Sequence, residues 1–456
     1  MKDQRARPRR SAEALLYDVV RGAAVGQIVL FAAMTLLTRI ALPFSDELGW
    51  IADYFHLRAG GSLGVYLWTA VNEHHLLMMR LLVMLDVGLF HVSGAPFVMV
   101  TVIAAVLAAA LLAHTANPAH VEGPQRLLAW LAPMLVLTVP IAACCSVPLN
   151  GQTPLTLGLV VLGVFLFTRA QGDDARAERS RLWGVLAIVL STLTHSVGFL
   201  ALPGLYWAAW RQAGARRWRA ILPIVFTPYA FIYVKTLAVV GVAAKAPMSM
   251  ADHLHRSVMY LLAFLGLPLS RAPHLLPLGM LVGAAALALG AAALLVEVLR
   301  RPPPDCLRLT ALTLVAFTLG AAVMSAWGRV DVETAIALPV RYTVYVAPLH
   351  FGLLALALPF AIRWFERPGG RLQVSAAAAG LAVLLLALQL AIAYPAYRES
   401  REISADLLRY WSGARDPDVY RYLGGGGGDG VAQPVYGWMK AQGYGPPVSS
   451  TPAPRP

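Results

Sequence analysis

The sequence predicts an all-α membrane protein, a polytopic bundle of about eleven transmembrane helices. Two features of its 456 residues support this fold class: 58% of them are hydrophobic and only 13% are charged, against about 25% charged residues in soluble proteins. A third is that the apolar residues lie in blocks of roughly 20, the number that crosses a bilayer as a helix. Because backbone polar groups in lipid must be paired internally, such blocks should be helical.

Each apolar block is assigned to one crossing of the membrane. The two blocks on either side of His195 are short, so they are either half-helices or one bent element. We expect crossings at residues 22–43, 95–114, 127–145, 154–169, 183–195, 196–210, 220–243, 276–299, 309–327, 343–362 and 372–393.

The chain divides into three parts. Residues 1–21 form a basic N-terminus, residues 22–393 a transmembrane domain whose first loop spans 44–94, and residues 394–456 a tail. The loop carries amphipathic stretches that suit interfacial helices. The tail begins with a short predicted helix, REISADLLRYW, and continues into GGGGGDG and PPVSSTPAPRP, compositions typical of flexible linkers and disordered ends. We therefore expect a disordered, Gly/Pro-rich end.

The distribution of arginine predicts the orientation in the membrane. With the N-terminus in the cytoplasm, four of five predicted cytoplasmic links are Arg-rich, as the positive-inside rule requires. These links are residues 115–126, 170–182, 211–219, 300–308 and 363–371. The pattern favours an odd number of crossings, an external C-terminus and, with the Arg- and Ala-rich composition, a bacterial inner membrane. It also explains the net charge of +13 without a nucleic-acid partner.

An acidic pair stands where the first span leaves the membrane. Leu42-Pro43-Phe44 is followed at once by Ser45-Asp46-Glu47. A carboxylate at a low-dielectric boundary can have its pKa raised towards neutrality, which suits a general base. The alternative is that these residues are solvated charges, with Ser45 or Asp46 capping the next helix.

The rest of the first loop is dense in acidic, imidazole and aromatic groups. Asp53, His56, His74 and Arg80 are candidate substrate-binding residues, and a basic side chain here suits a phosphate. Glu73 and His74 are also candidate ligands of a divalent metal, since carboxylate and imidazole are usual ligands. Adjacent histidines point to different faces of a helix, so His75 would not join them easily.

Further candidates lie later in the chain. His195, within THSVG, is an intramembrane ionisable residue and therefore a functional candidate, the alternative being a neutral histidine hydrogen-bonded inside the bundle. Arg329 and Arg341 bracket a short predicted external loop, and Arg341-Tyr342 begins a span, at the depth of a lipid phosphate. For each arginine the alternative is a side chain that snorkels to the headgroups.

This arrangement resembles the GT-C superfamily of membrane glycosyltransferases. The resemblance rests on a cytoplasmic N-terminus, a first span, the acidic motif Asp46-Glu47 at the start of a long external loop, and some ten further spans. The segment Asn72–His75 and the pairs Gly328-Arg329 and Arg341-Tyr342 look like features of bacterial members. The tail departs from the pattern, because it lacks the large external domain that several families carry.

The resemblance implies a function. It implies a polyprenyl-phosphate-linked sugar donor, an inverting transfer on the non-cytoplasmic face, and a glycan, lipid or protein acceptor. It also implies that Asp46 is the base or metal-positioning group, with Glu47 as its neighbour. No cofactor is implied with certainty, although a divalent metal is compatible with the family.

Two other classes of function stay open. A polymerase or ligase of lipid-linked glycans shares the substrates but usually centres on a large later loop. A transporter or flippase would show charged or broken spans near the midplane. The sequence contains no Walker A, HExxH or GxSxG pattern, so nucleotide-driven transport, intramembrane metalloproteolysis and serine esterase chemistry gain no support.

Overall fold

The computed structural model describes residues 11–40, 42–70, 74–240, 248–267, 269–328, 340–414, 423 and 429–446. This part of the chain is all-α, with no β-sheet. Its helices are α1 (Ala12–Leu37), α2 (Asp46–Arg58), α3 (Leu63–Trp68), α4 (Leu77–Leu89), α5 (Ala95–Ala116), α6 (Pro124–Val136), α7 (Val139–Ser146), α8 (Gln152–Thr168), α9 (Ala175–Thr194), α10 (Leu202–Arg211), α11 (Trp218–Val240), α12 (Met250–Leu265), α13 (Leu276–Arg300), α14 (Cys306–Gly328), α15 (Thr343–Phe365), α16 (Gly370–Trp411) and α17 (Asp429–Ala441).

Length and hydropathy identify the chain as a multi-pass membrane protein. Seven helices in the described residues are long and apolar enough to cross a membrane, and an eighth crossing results if α6 and α7, bent by 47° at their junction, form one span. The seven are α1, α5, α8 with the turn that precedes it, and α13 to α16. This number is lower than the roughly eleven crossings expected from the apolar blocks.

The difference lies between residues 175 and 240. Helix α9 begins at Ala175, inside the charged segment 170–182 that the sequence predicts to be a cytoplasmic link, and it ends at Thr194. A 3-10 turn over Ser196–Ala201 follows, and α10 then has only 10 residues. Helix α10 runs back along α9, because Arg181 near the start of α9 donates to the carbonyl of Gly214 just after α10. Helix α11 contains Pro223 and Pro228 and is not among the seven.

The centre of the bundle is built on close helix crossings at glycine. Helices α8 and α9 meet at Gly163 and Gly184, where a Cβ atom on either would lie 2.7 Å from the carbonyl oxygen of the other. Small residues allow such backbone contact, which replaces the hydrophobic drive that is missing between helices in lipid. This crossing holds α9, and therefore His195, at a fixed height against α8.

Substitution at this crossing should destabilise the bundle. We expect Gly184→Leu to lower the free energy of unfolding by about 3 kcal/mol, since the clash is with backbone, which cannot rotate away. Thermal unfolding in a neutral detergent measures the effect. Gly380→Leu is the matched control, because a Cβ at Gly380 meets nothing within 4 Å. Equal melting temperatures for the two variants would contradict the tight crossing.

The tail differs from its prediction. Its expected short helix is the last part of α16, which runs unbroken for 42 residues, and the expected disordered end contains α17. Helix α17 forms because its apolar residues repeat at helical spacing, a pattern that Gly430, Pro434 and Gly437 obscure in the composition. The apolar residues of α17 are buried in one cluster with residues of α2 and α4. These residues of α17 are Ala432, Val435, Tyr436 and Met439.

Candidate functional site

We call the end of the bundle that carries residues 42–94, α17 and the last turns of α16 the loop face. Helix α2 divides the acidic pair between two environments there. Asp46 and Asp53 are seven residues apart, so they share one side of the helix, and both are partly exposed. Glu47 points the other way and is only 3% exposed. The two carboxylates are therefore suited to different tasks.

Glu47 lies in a closed environment beneath the tail. Its Oε2 atom is buried and makes no hydrogen bond to any described residue. Burial, and then the nearby charge of Asp86, raise the pKa of Glu47 to about 8. Tyr436 of α17 is close enough to interact with Glu47 electrostatically and donates its hydroxyl proton to the carbonyl of Pro43 at 2.5 Å. Glu47 therefore holds a proton at neutral pH and is ill suited to be the base.

The start of α2 is conformationally strained. Ser45 occupies the N-cap position, but its side chain makes no capping hydrogen bond. Its φ angle is 52°, a region that residues other than glycine rarely adopt. Ser45 thus stands at the N-cap, as the alternative interpretation expected, but Glu47 is buried and is not a solvated charge. Backbone strain of this kind occurs often at functional sites.

Arg80 and Asp53 form a partly buried ion pair on the loop face. Arg80 Nη2 lies 2.9 Å from Asp53 Oδ2, the arginine side chain is 0% exposed and that of Asp53 is 43% exposed. The guanidinium also stands over the ring of Tyr66, 4.9 Å from its centroid. Its Nε and Nη1 atoms are buried and have no hydrogen-bond partner among the described residues. A buried cation with two unsatisfied donors is costly, and an anion would satisfy them.

His74 and His195 come together although they are far apart in sequence. Their ring centroids are 4.0 Å apart, and His74 Nδ1 is hydrogen-bonded to the hydroxyl of Ser196. His195 is buried and accepts a hydrogen bond from Val197 N–H at 3.4 Å. The first loop thus contacts the turn that follows α9, and two predicted site residues, His74 and His195, lie against each other.

Tyr345 joins this pair to the start of α15. Its ring centroid is 5.9 Å from that of His195, and its hydroxyl is buried without a hydrogen-bond partner in the described part of the chain. Arg341 is partly buried and close enough to Tyr345 to act on it electrostatically. Tyr342 is buried against Phe264, with 5.4 Å between ring centroids. Arg341 therefore lies in the neighbourhood of Tyr345, and Tyr342 packs into the core.

The remaining predicted residues are not placed in this site. His56 is exposed near the end of α2. Glu73 and Arg329 lie outside the described residues. Among the described residues no group of three or more His, Cys, Asp or Glu side chains is arranged to hold a metal ion. The pairing of Glu73 with His74 around a metal therefore stays a prediction.

Asp86 and Tyr436 are not among the residues that the sequence predicts for the site. Asp86 is 2% exposed, and burial raises its pKa to about 6 although Gly94 N–H donates to both of its oxygens at 3.1 Å. A single acidic residue inside the apolar stretch of α4 was the available signal for Asp86. Tyr436 gave no comparable signal, because its role depends on a contact across 393 residues.

No family model, curated protein or solved structure matches this chain. Its likeness to membrane glycosyltransferases therefore rests on the plan of the chain and on its short motifs.

Proposed function

We propose that the chain is an integral membrane glycosyltransferase that moves a sugar from a polyprenyl-phosphate donor to a glycan, lipid or protein acceptor, with inversion. We place the loop face outside the cytoplasm. The observation that carries the proposal is Arg80, a buried guanidinium of which two nitrogens have no hydrogen-bond partner in the described part of the chain. Arg80 pairs with Asp53, which lies on the same side of α2 as Asp46.

In this proposal Asp46 is the general base. An acceptor hydroxyl attacks the anomeric carbon of the sugar while the bond from that carbon to the phosphate oxygen breaks. The hydroxyl proton passes to Asp46, and the electron pair leaves with the polyprenyl phosphate. Attack from the face opposite the leaving group inverts the anomeric centre. Asp46 suits this role because it is partly exposed, whereas Glu47 is buried and protonated.

The donor phosphate has its binding partners on the same face. Arg80 Nε and Nη1, which have no hydrogen-bond partner among the described residues, together carry three N–H donors of fixed geometry that match phosphate oxygens. Asp53, by holding the third nitrogen, fixes the orientation of the guanidinium. His74 and His195 form a second polar group between the loop and the bundle. We assign Arg341, which acts electrostatically on the neighbouring Tyr345, to the entry of a lipid-linked substrate from the membrane. We assign Arg329 and Tyr342 to the same region and keep His56 and Glu73 as candidates for the acceptor side.

The finer topology belongs to the same proposal. If α9, α10 and α11 also cross the membrane, the total reaches the eleven crossings of a GT-C-like plan. The hydrogen bond from Tyr436 to Pro43 keeps α17 beside the start of the first loop, so both are external if the N-terminus is cytoplasmic.

A transfer assay tests the reaction class. Purified protein in detergent is incubated with radiolabelled polyprenyl-phosphate sugars and an extract of lipid and glycan acceptors. Label that moves to a new covalent product with wild type, but not with Asp46→Asn, supports the proposal. If folded protein gives neither transfer nor donor hydrolysis with any sugar, and instead accumulates an intact lipid-linked substrate across proteoliposomes, the chain is a transporter and the proposal fails.

A further inference from the structure

A cavity on the loop face lies apart from Arg80 and the histidine pair. It has a volume of about 470 Å³ and is lined by Arg39, residues 90–93 and residues 442–446. Three distant parts of the chain thus meet there: the end of the first span, the turn between α4 and α5, and the tail. The volume lies within the range of small-molecule sites.

Arg39 supplies an available positive charge. It is exposed and follows the apolar helix α1 by two residues, so it stands at the headgroup level of a membrane that α1 crosses. Its Nη2 atom donates to the carbonyl of Ser93 at 2.7 Å. This bond orients the guanidinium and occupies one of its five N–H donors. The other donors form no hydrogen bond with the described residues.

The opposite walls provide polar and aromatic groups. His91 and Tyr444 lie with ring centroids 4.6 Å apart, which joins the α4–α5 turn to the tail. His91 and Val92 have φ angles of 57° and 58°. A positive φ is rare for any residue except glycine and is a true outlier for a β-branched one. The turn therefore holds a costly conformation at the cavity wall, as binding sites often do.

One buried acid lies behind the wall of this cavity. Asp86 accepts hydrogen bonds from Gly94 N–H and from the Ser93 hydroxyl. Burial raises its pKa to about 6, so it is mostly ionised at pH 7, and the charge of Arg39 acts on it. Arg39 is exposed at the cavity whereas Asp86 is buried, so a ligand in the cavity meets the guanidinium and not the carboxylate.

We propose that this cavity is a binding site for a phosphate group, with Arg39 as the charge partner and His91 and Tyr444 as its flanking donors. The phosphate comes either from the headgroup of an anionic lipid or from a soluble phosphate ester. The site does not depend on sugar transfer, because none of its residues belongs to the acid pair, to Arg80 or to the histidine pair.

Equilibrium binding tests the site without reference to turnover. Full-length protein in a neutral detergent is titrated with short-chain phosphatidylglycerol, with phosphatidylcholine of equal chain length, and with glycerol 3-phosphate. We expect Arg39→Gln to weaken binding of the phosphate ligand about tenfold or more, the loss of one charge-assisted contact. Arg401→Gln, which removes an exposed charge elsewhere in α16, should bind as wild type does.

Each outcome of the titrations either identifies the source of the phosphate group or overturns the proposed binding site. Phosphatidylglycerol binding that exceeds phosphatidylcholine binding and depends on Arg39 assigns a lipid headgroup. Binding of glycerol 3-phosphate that depends on Arg39 to the same extent assigns a soluble phosphate ester. Unchanged affinity in Arg39→Gln overturns the proposal. Should Arg39→Gln fail to fold, His91→Asn and Tyr444→Phe serve instead, since asparagine tolerates positive φ, and wild-type affinity in both would equally overturn it.

Discussion

We expect Asp46→Asn to lower the turnover number of sugar transfer by roughly 10²–10⁴-fold, the usual contribution of a general base. The amide keeps the size of the side chain but cannot accept the acceptor's proton. Because Asp46 is partly exposed, the variant should fold and melt as wild type does. The measurement is the initial rate at several donor concentrations, which separates kcat from KM, and the loss should fall on kcat.

Glu47→Gln is the matched control for this loss. Glu47 is buried with a raised pKa of about 8, so at pH 7 it is mostly protonated, and glutamine imitates the neutral acid. We expect this variant to keep most of the wild-type turnover at pH 7. An inactive Glu47→Gln together with an active Asp46→Asn would exchange the roles of the two residues.

The second large effect is a change in the pH dependence of stability. The pKa of Glu47 is raised from its usual 4.5 to about 8 in the folded protein. Below pH 4.5 the Glu47 carboxyl is protonated in both the folded and the unfolded protein, so it does not lower the free energy of unfolding. Between pH 4.5 and 8 the carboxyl ionises first in the unfolded protein, so the free energy of unfolding falls as the pH rises. The full loss, reached above pH 8, has an upper bound of about 5 kcal/mol. Glu47→Gln should remove it.

Thermal unfolding across this range measures the effect. The melting temperature of Glu47→Gln should exceed that of wild type at pH 9 and match it at pH 4. Tyr436→Phe is the control: it removes the hydrogen bond to Pro43 but keeps the carboxyl, so it should lower stability equally at each pH. Parallel curves for wild type and Glu47→Gln would show that Glu47 ionises freely in the folded protein.

The membrane helices followed from the sequence where the signal was local. The predicted crossings 95–114, 276–299 and 343–362 correspond to α5 (Ala95–Ala116), α13 (Leu276–Arg300) and α15 (Thr343–Phe365). An apolar block of bilayer length has one structural solution in lipid, so its neighbours do not alter it. The end of α9 at His195 was not predictable in this way. The chain there leaves the α-helix and contacts the first loop and α14, and contacts between distant residues leave no periodic pattern in the sequence.

The site was predictable in its residue types and unpredictable in its pairings. The sequence predicts Asp53, His74 and Arg80 as site residues from the density of polar groups in the first loop, and His195 as an ionisable residue within the membrane. Which of them would meet depended on how the loop folds back on the bundle. The separation of Asp46 from Glu47 required only the 100° step between helical neighbours, but which side would be buried depended on α17, whose own helical pattern was hidden among glycines.

The length of α16 has a consequence for how this protein can vary. Its 42 residues extend for roughly 63 Å at 1.5 Å each, about twice the thickness of the hydrocarbon core of a bilayer. The last turns of α16 place Leu407, Tyr410 and Trp411 in the buried cluster that also contains residues of α2. One inserted residue would turn everything beyond it by about 100°, whereas seven would return it to nearly the same side. Related chains should therefore change the length of this helix in steps of about two turns, or change α2 with it.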